Sequence, residues 1–220
     1  MPYARTIAID GPAASGKSTL GATLAETLGY VFVDAGMIYR ALTGEILNAG
    51  LDPRDERSIV AFAQALPVRF DGATVSINGQ PFGANLHSSD ISRTVPTVAA
   101  YGGVRAAIRT YQRQIAGQGA VVFAGRDIGT VVLPNADLKL YLDVSLDERA
   151  RRRHLSLRVN NPLLTLEQVR HELHQRDQLD TQRHESPLKI ADDAFVIRTD
   201  GLSPAEVLDV ALGYAKRQSA

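Results

Sequence analysis

The chain has no cysteine among its 220 residues. That excludes disulfides, thiolate metal sites and cysteine nucleophiles, and it suits a reducing cytoplasm. It has no excess of either charge. Lys plus Arg and Asp plus Glu both stand at 24, so no global field draws it to nucleic acid or an anionic membrane, and any charge-based function is local. Aromatic residues make up 6%, too few for a base-stacking surface, so no nucleic-acid partner is expected. No segment approaches the roughly 20 apolar residues of a membrane span. The N-terminus MPYARTIAIDG lacks a charged leader followed by a long apolar core. The expectation is a soluble, unprocessed cytoplasmic protein, built as one domain or as one domain with an inserted lobe. The absence of a heptad pattern makes it an expected monomer.

What is present is an alternation of strand and helix patterns. TIAID at 6–10 is a short β-rich run, and Leu20, Leu24 and Leu28 follow at helical spacing before Gly29. YVFVD at 30–34 is a buried-type strand, after which Met37, Ile38, Ala41, Leu42 and Ile46 share a helical face. Asp52-Pro53 is expected to cap and start a helix reaching about Leu66. Over 68–82 the pattern changes to alternation punctuated by the hairpin dipeptides DG and NG, which predicts a small antiparallel excursion. A helical stretch from about Ser88 to Ala116, weakened by Gly102-Gly103, leads to the strand AVVFA at 120–124. LKLYLDV is a further strand, and Ser145 with Glu148 predicts a capping box for an arginine-rich helix; Thr165 with Gln168 repeats the device. AFVIR at 194–198 is the last strand, and Ser203-Pro204-Ala205-Glu206 caps the final helix. About five strands separated by helices predict a parallel sheet covered on both faces, with ligands at the carboxyl ends of the strands.

Gly11-Pro12-Ala13-Ala14-Ser15-Gly16-Lys17-Ser18 fits G-x-x-x-x-G-K-[ST], the P-loop whose backbone N–H groups wrap a nucleotide's phosphates at a helix N-terminus. Small residues let the backbone approach those oxygens. Lys17 reaches the β- and γ-phosphates in such loops, and the Ser18 hydroxyl helps hold Mg²⁺. The candidate ATP-binding set is therefore Gly11, Pro12, Ala13, Ala14, Ser15, Gly16, Lys17, Ser18 and Thr19, with ATP and Mg²⁺ as cofactors. The alternative is a glycine-rich turn without a ligand.

The acceptor of the phosphoryl group has to be read from the arginines. Arg40, Arg105, Arg126, Arg176 and Arg183 lie in or beside segments that follow strands, and Arg149 and Arg151 to Arg153 lie on the capped helix. Singly, each is explained as a solvated surface residue. As a set around a P-loop they suit phosphoryl transfer between polyanions, which needs cations to offset repulsion and spread the charge of a loose transition state. A helix carrying Arg153 suits a closing lid that excludes water.

DGPAASGKST, DAGMIYRAL at 34–42, VRAAI at 104–108, GRDIGTVVLP at 125–134, SLDERARRR at 145–153, QRDQLDTQR at 175–183 and SPLKIADDAFVI at 186–197 together resemble the bacterial cytidylate kinases, in order along nearly the whole chain. The resemblance implies an α/β fold of the P-loop NTPase type, with a parallel five-stranded sheet, a small inserted NMP-binding lobe and a helical lid. It divides the chain into a kinase core over 1–66 and 118–220, with the lid at about 149–165, and an inserted lobe over 67–117. It implies transfer of the ATP γ-phosphoryl group to CMP or dCMP. By position, Arg40 and Arg126 grip the acceptor's monophosphate, Arg105, Asp127 and Arg183 face the cytosine, and Arg176 and Asp180 hold the sugar. Lys17, Arg126, Arg153 and Arg176 become the candidate catalytic cations. The chemistry agrees: arginine offers a fork for phosphate or carbonyl groups, and an aspartate accepts from an exocyclic amine.

Departures from the family pattern bear on selectivity and on the metal. Ala35 stands where Ser or Thr is usual, Pro96 where a serine commonly faces the base, His87 where an arginine is usual, and Ala124 where an acid precedes the GRD. Asp10 is then a candidate to share the Mg²⁺ with Ser18, its alternative being a structural residue at the strand end. Ala35 and Pro96 leave open a P-loop kinase of another small acceptor, and Ala124 leaves open a non-catalytic nucleotide-binding regulator.

Overall fold

The computed structural model describes residues 3–70, 75–77, 79–81, 86, 88–159 and 161–217. Five strands, β1 (Thr6–Asp10), β2 (Val31–Asp34), β6 (Val121–Gly125), β7 (Leu138–Asp143) and β8 (Phe195–Arg198), form a sheet in the order β2-β6-β1-β7-β8. Every pairing in it is parallel. The α/β class and the five-stranded parallel sheet are as the sequence pattern predicts. The central strands are buried on both faces, which is why β1 and β6 read as unbroken apolar runs rather than alternations.

Each face has its own core. On one face α1 (Lys17–Leu28) and α8 (Pro204–Arg217) pack Leu20, Leu24, Val207, Ala211 and Ala215 against Ile7, Ile9, Val122 and Leu140. On the other, α2 (Ala35–Asn48), α3 (Glu56–Ala65), α4 (Ser89–Val98) and α5 (Gly102–Gly117) bury Ile38, Ile59, Val98, Val104 and Ile108 with Ala8, Val33 and Phe123. A second, antiparallel sheet of β3 (Val68–Phe70), β4 (Val75–Ile77) and β5 (Gln80–Pro81) interrupts the rhythm as expected. The predicted turns at Asp71-Gly72 and Asn78, and His87, lie outside the described residues. The remaining helices, α6 (Leu146–Leu157) and α7 (Leu166–Gln182), form a hairpin whose small core, Ala150, Val169 and Leu173, closes on Ala13 of the P-loop.

Several local expectations need correction. The helix after Asp52-Pro53 is capped by Asp55, whose side chain accepts from Ser58 N at 3.2 Å. Asp52 instead closes a turn by accepting from Arg54 N at 3.0 Å. The stretch from Ser88 is two helices, and Gly102-Gly103 opens the second rather than weakening its middle. A Cβ on Gly103 would come within 2.6 Å of Val60, so the glycine allows α5 to lie close to α3. The box at Ser145 is only half made. Its hydroxyl accepts from Glu148 N at 3.3 Å, but its own N–H goes to Asp200, and Glu148 is drawn to Arg151 and Arg152. Thr165 and Gln168 complete theirs. Missed from the sequence was a π-helical turn over Ile128–Val132, in which Val132 N donates to Asp127 O and Leu133 N to Ile128 O.

Candidate active site

The loop from Gly11 to Gly16 joins the end of β1 to α1, and its backbone explains its small residues. Gly11 has φ 151°, and a Cβ there would lie 2.7 Å from the Leu142 carbonyl oxygen; Gly16 has φ 94°. Ala14, at φ 59°, holds a conformation uncommon for a residue with a side chain, of the kind that concentrates at ligand sites. Helix α1 begins at Gly16 with no side-chain cap. Its first-turn N–H groups therefore have no side-chain cap, an arrangement that suits an anion at the positive end of the helix dipole.

Lys17 is buried, 6% exposed, and its Nζ donates to the Pro12 carbonyl at 2.6 Å and the Ser15 hydroxyl at 3.1 Å. Burial, and then the Arg126 guanidinium, push its ammonium well below the ordinary lysine value. Ser18 donates its hydroxyl to Asp34 Oδ2 at 2.5 Å, while Asp34 Oδ1 caps α2 by accepting from Gly36 N at 2.8 Å. Thr19 is exposed on the first turn of α1.

Asp10 turns elsewhere. Its oxygens accept from Ile128 N at 2.8 Å and Gly129 N at 2.7 Å, so the carboxylate pins the π-helical turn to the end of β1. Burial pushes its carboxyl up to about 6, against the lowering effect of those N–H groups. These bonds give Asp10 the structural role that the sequence left as its alternative. The carboxylate that does stand beside Ser18 is Asp34, which the sequence reading missed. Asp34 is the register partner of Ala124 across β2 and β6, so it sits next to the position whose expected acid is absent. Its place at a strand end, inside the DAGMIYR segment, was the available signal.

The arginines gather as well. Arg126, just past β6, is paired with Asp180 of α7, Nε to Oδ2 at 2.8 Å. Arg176 lies one turn earlier on α7. Burial lowers its pKa, and the charge of Arg126 lowers it further, against the opposing pull of Asp180; Arg40 and Arg153 add to the lowering. Arg40, half-buried on α2, donates to the Leu86 carbonyl at 2.9 Å and Ser92 Oγ at 3.1 Å. Its pKa is lowered by burial and then by Arg153, which stands exposed on α6. Among the described residues neither Arg153 nor Arg176 has a hydrogen-bonded or ion-paired partner. Lys17, Arg40, Arg126, Arg153 and Arg176 thus come from separate elements into one repelling set, with Asp180 set against it. Burial pushes the Asp180 carboxyl up, but Arg126, Arg176 and Arg183 outweigh it and hold it below the usual range.

Beside this set lies a second cluster. Arg105 of α5 pairs with Asp127 at 2.5 Å, both buried, and stacks its guanidinium 5.5 Å over the Tyr39 ring. Burial opposes the Arg105 charge, but Tyr39 and Asp127 outweigh it and hold its pKa above the ordinary value. Arg183 reaches Asp127 at 3.8 Å and Asp180 at 3.6 Å, and its Nε donates to the Ser186 carbonyl at 2.6 Å. A narrow crevice here is lined by Tyr39, Arg105, Arg109, Gln112, Asp127 and the π-helical turn. Ala35 is buried at the start of α2, and Pro96 sits inside α4, one turn after Ser92. Arg149, which sequence reasoning grouped with Arg151 to Arg153 without a role of its own, is buried and ties Ala13 of the P-loop to Asp177 of α7. Nothing in its local sequence separates it from its exposed neighbours.

The phosphate loop at the end of β1 and the cations around it define a P-loop phosphotransferase fold. Fold comparison agrees: a gluconokinase from Sinorhizobium meliloti superposes with a TM-score of 0.50 at 15% identity, covering 99% of this chain and 94% of that one. At the level of family, a model for cytidylate kinase matches residues 7–217. The cytidylate kinase of Chloroflexus aggregans is 45% identical over 96% of this chain and 94% of its own, and that of Herpetosiphon aurantiacus 44% identical over 97% and 95%. The chain belongs to the cytidylate kinase family.

Proposed function

We propose that the protein is a nucleoside monophosphate kinase that transfers the γ-phosphoryl group of ATP to CMP or dCMP, giving ADP and CDP or dCDP. The observation that carries this reading is the convergence of Lys17, Arg40, Arg126, Arg153 and Arg176 at the mouth of the phosphate loop, where they repel one another and are incompletely paired. A site of that kind is stabilised by filling it with phosphate charge.

In this reading Lys17, the backbone of the loop from Gly11 to Gly16 and the first-turn N–H groups of Lys17, Ser18 and Thr19 cradle the ATP phosphates. Arg40 and Arg126 take the acceptor's phosphate, Arg176 and Asp180 its sugar, and Arg105, Asp127 and Arg183 its base. Arg153 closes from α6 with the lid at about 149–165, and the segment 67–117 is the acceptor lobe. Mg²⁺ fits the oxygen donors of Ser18 and Asp34, since this ion takes one or two protein oxygens and fills its shell with phosphates and water. When bound it would supply positive charge that offsets the negative charge of the phosphates. No helix among the described residues is long and apolar enough to cross a membrane, in keeping with a cytoplasmic enzyme.

ADP production measured with CMP, dCMP, UMP, AMP and shikimate tests the reading. CMP and dCMP are expected to be the best acceptors. Asp127→Ala is expected to reduce kcat/KM for CMP more than for UMP, because the amine of cytosine then loses its acceptor. ATP binding without acceptor-dependent ADP would point to a regulator, and turnover with shikimate alone to a different kinase.

A further inference from the structure

We propose that the Gln112 carboxamide is a base-binding residue, donating a hydrogen bond from its N–H to the pyrimidine ring of the bound acceptor. The inference rests on the reading of this site as an acceptor pocket. Gln112 is 1% exposed, yet neither its Nε2 nor its Oε1 has a hydrogen-bond partner among the described residues. Buried polar groups are almost always paired, and an apolar side chain of the same shape would fill this place at less cost to the fold. The amide is therefore unexplained by folding alone. It also lines the crevice that contains Asp127, together with Tyr39, Arg105 and Arg109.

Its position on α5 makes a shared task with Arg105 natural. The residues are seven apart, two helical turns, so they occupy one face of α5. Arg105 Nε and Arg183 Nη2, which flank Asp127, likewise have no hydrogen-bond partner among the described residues, Nη2 reaching Asp127 only as an ion pair at 3.8 Å. Unsatisfied donors thus surround a carboxylate that is itself spent on Arg105. An incoming base parts that ion pair, and the chemistry then divides cleanly. Asp127, an acceptor only, takes the exocyclic amine of cytosine, and the Gln112 N–H meets the ring nitrogen N3, an acceptor in cytosine. Uracil carries a hydrogen at that nitrogen, and a carboxamide turned over accepts it. Gln112 therefore supplies affinity to both pyrimidines, and discrimination stays with Asp127.

The test is Gln112→Met, which keeps the shape and removes both polar atoms, with Gln112→Leu as a second packing solution. The expected result is a rise in KM for CMP and for UMP of several-fold to about tenfold, the equivalent of one lost hydrogen bond. KM for ATP stays unchanged and the CMP to UMP ratio moves by less than about twofold. The unfolding temperature of the free variant equals or exceeds that of the wild type, while the upward shift produced by CMP shrinks. Loss of affinity combined with unchanged or greater stability is a result that a merely structural glutamine would not produce. Variants with wild-type KM and a wild-type CMP-induced shift overturn the inference while leaving the reaction intact. A wild-type protein that neither turns over CMP nor is stabilised by it overturns the reading and the inference together.

Discussion

Arg149 and Asp177 form an ion pair at 2.7 Å between α6 and α7, and the same guanidinium donates to the Ala13 carbonyl of the P-loop at 3.2 Å. One buried charge thus ties the α6–α7 hairpin to the phosphate loop, beside the apolar contact of Ala150, Val169 and Leu173 with Ala13. Arg149→Met is expected to destabilise the protein by about 2–3 kcal/mol, because it strands a largely buried carboxylate. Asp177→Leu in the same chain should restore most of that loss. Urea unfolding of the single and double variants decides it; a double variant no more stable than Arg149→Met would show that the carboxylate is not what the arginine compensates.

Asp34 combines a cap with a charge, and one substitution separates them. Asn keeps an oxygen for Gly36 N but carries no negative charge. Asp34→Asn is therefore expected to fold normally while raising the Mg²⁺ concentration needed for half-maximal rate, and Asp34→Ala to lose in addition about 1 kcal/mol of stability with the cap. An unchanged Mg²⁺ dependence in Asp34→Asn would remove it from the metal site.

Lys17→Ala is expected to stay within about 1 kcal/mol of wild-type stability, since the lost hydrogen bonds are offset by release of a buried ammonium. Its rate is expected to fall by about 3–4 kcal/mol of transition-state stabilisation. Near-normal turnover would sink the phosphate-loop assignment.

Asp10 makes a signed pH prediction. Its carboxyl titrates at about 6 in the folded protein against an ordinary 3.8. Between those values the folded state holds a proton that the unfolded chain has released, so this group favours folding at low pH and its contribution is lost as pH rises through about 6. Measured against Asp10→Asn, the wild type should gain about 2–3 kcal/mol between pH 7 and pH 4. The constant offset from exchanging an acceptor for an amide does not enter that difference. A flat difference across the interval would mean that the carboxyl titrates normally.

Arg153 and Arg126 are expected to separate in kinetics. On the proposed roles, Arg153→Ala should chiefly lower kcat, as an exposed cation of the proposed lid that engages late. Arg126→Ala should also raise KM for the monophosphate, being already fixed by Asp180 beside the acceptor site. Equal and negligible effects would return both to the solvated surface.

The linear order of residues by itself determined the sheet, the phosphate loop and the family. Each is written in short-range pattern: apolar runs for doubly covered strands, small residues where backbone must approach phosphate, and ordered motifs along the chain. The capping box at Thr165 and Gln168 was legible for the same reason, because its partners are three residues apart. What only the tertiary structure decided depends on groups far apart in sequence. Asp10 could be assigned to the π-helical turn only once β1 and the segment after β6 lay side by side, and Asp34 came to notice only through its place beside Ser18 and Ala124. Arg149 could not be told from Arg151 and Arg152 until the fold buried one and left the others at or near the surface. Gln112 was invisible for the same physical reason: whether a polar side chain is solvated, paired or stranded is a property of its surroundings, and those are set by packing across elements rather than by its neighbours in the chain.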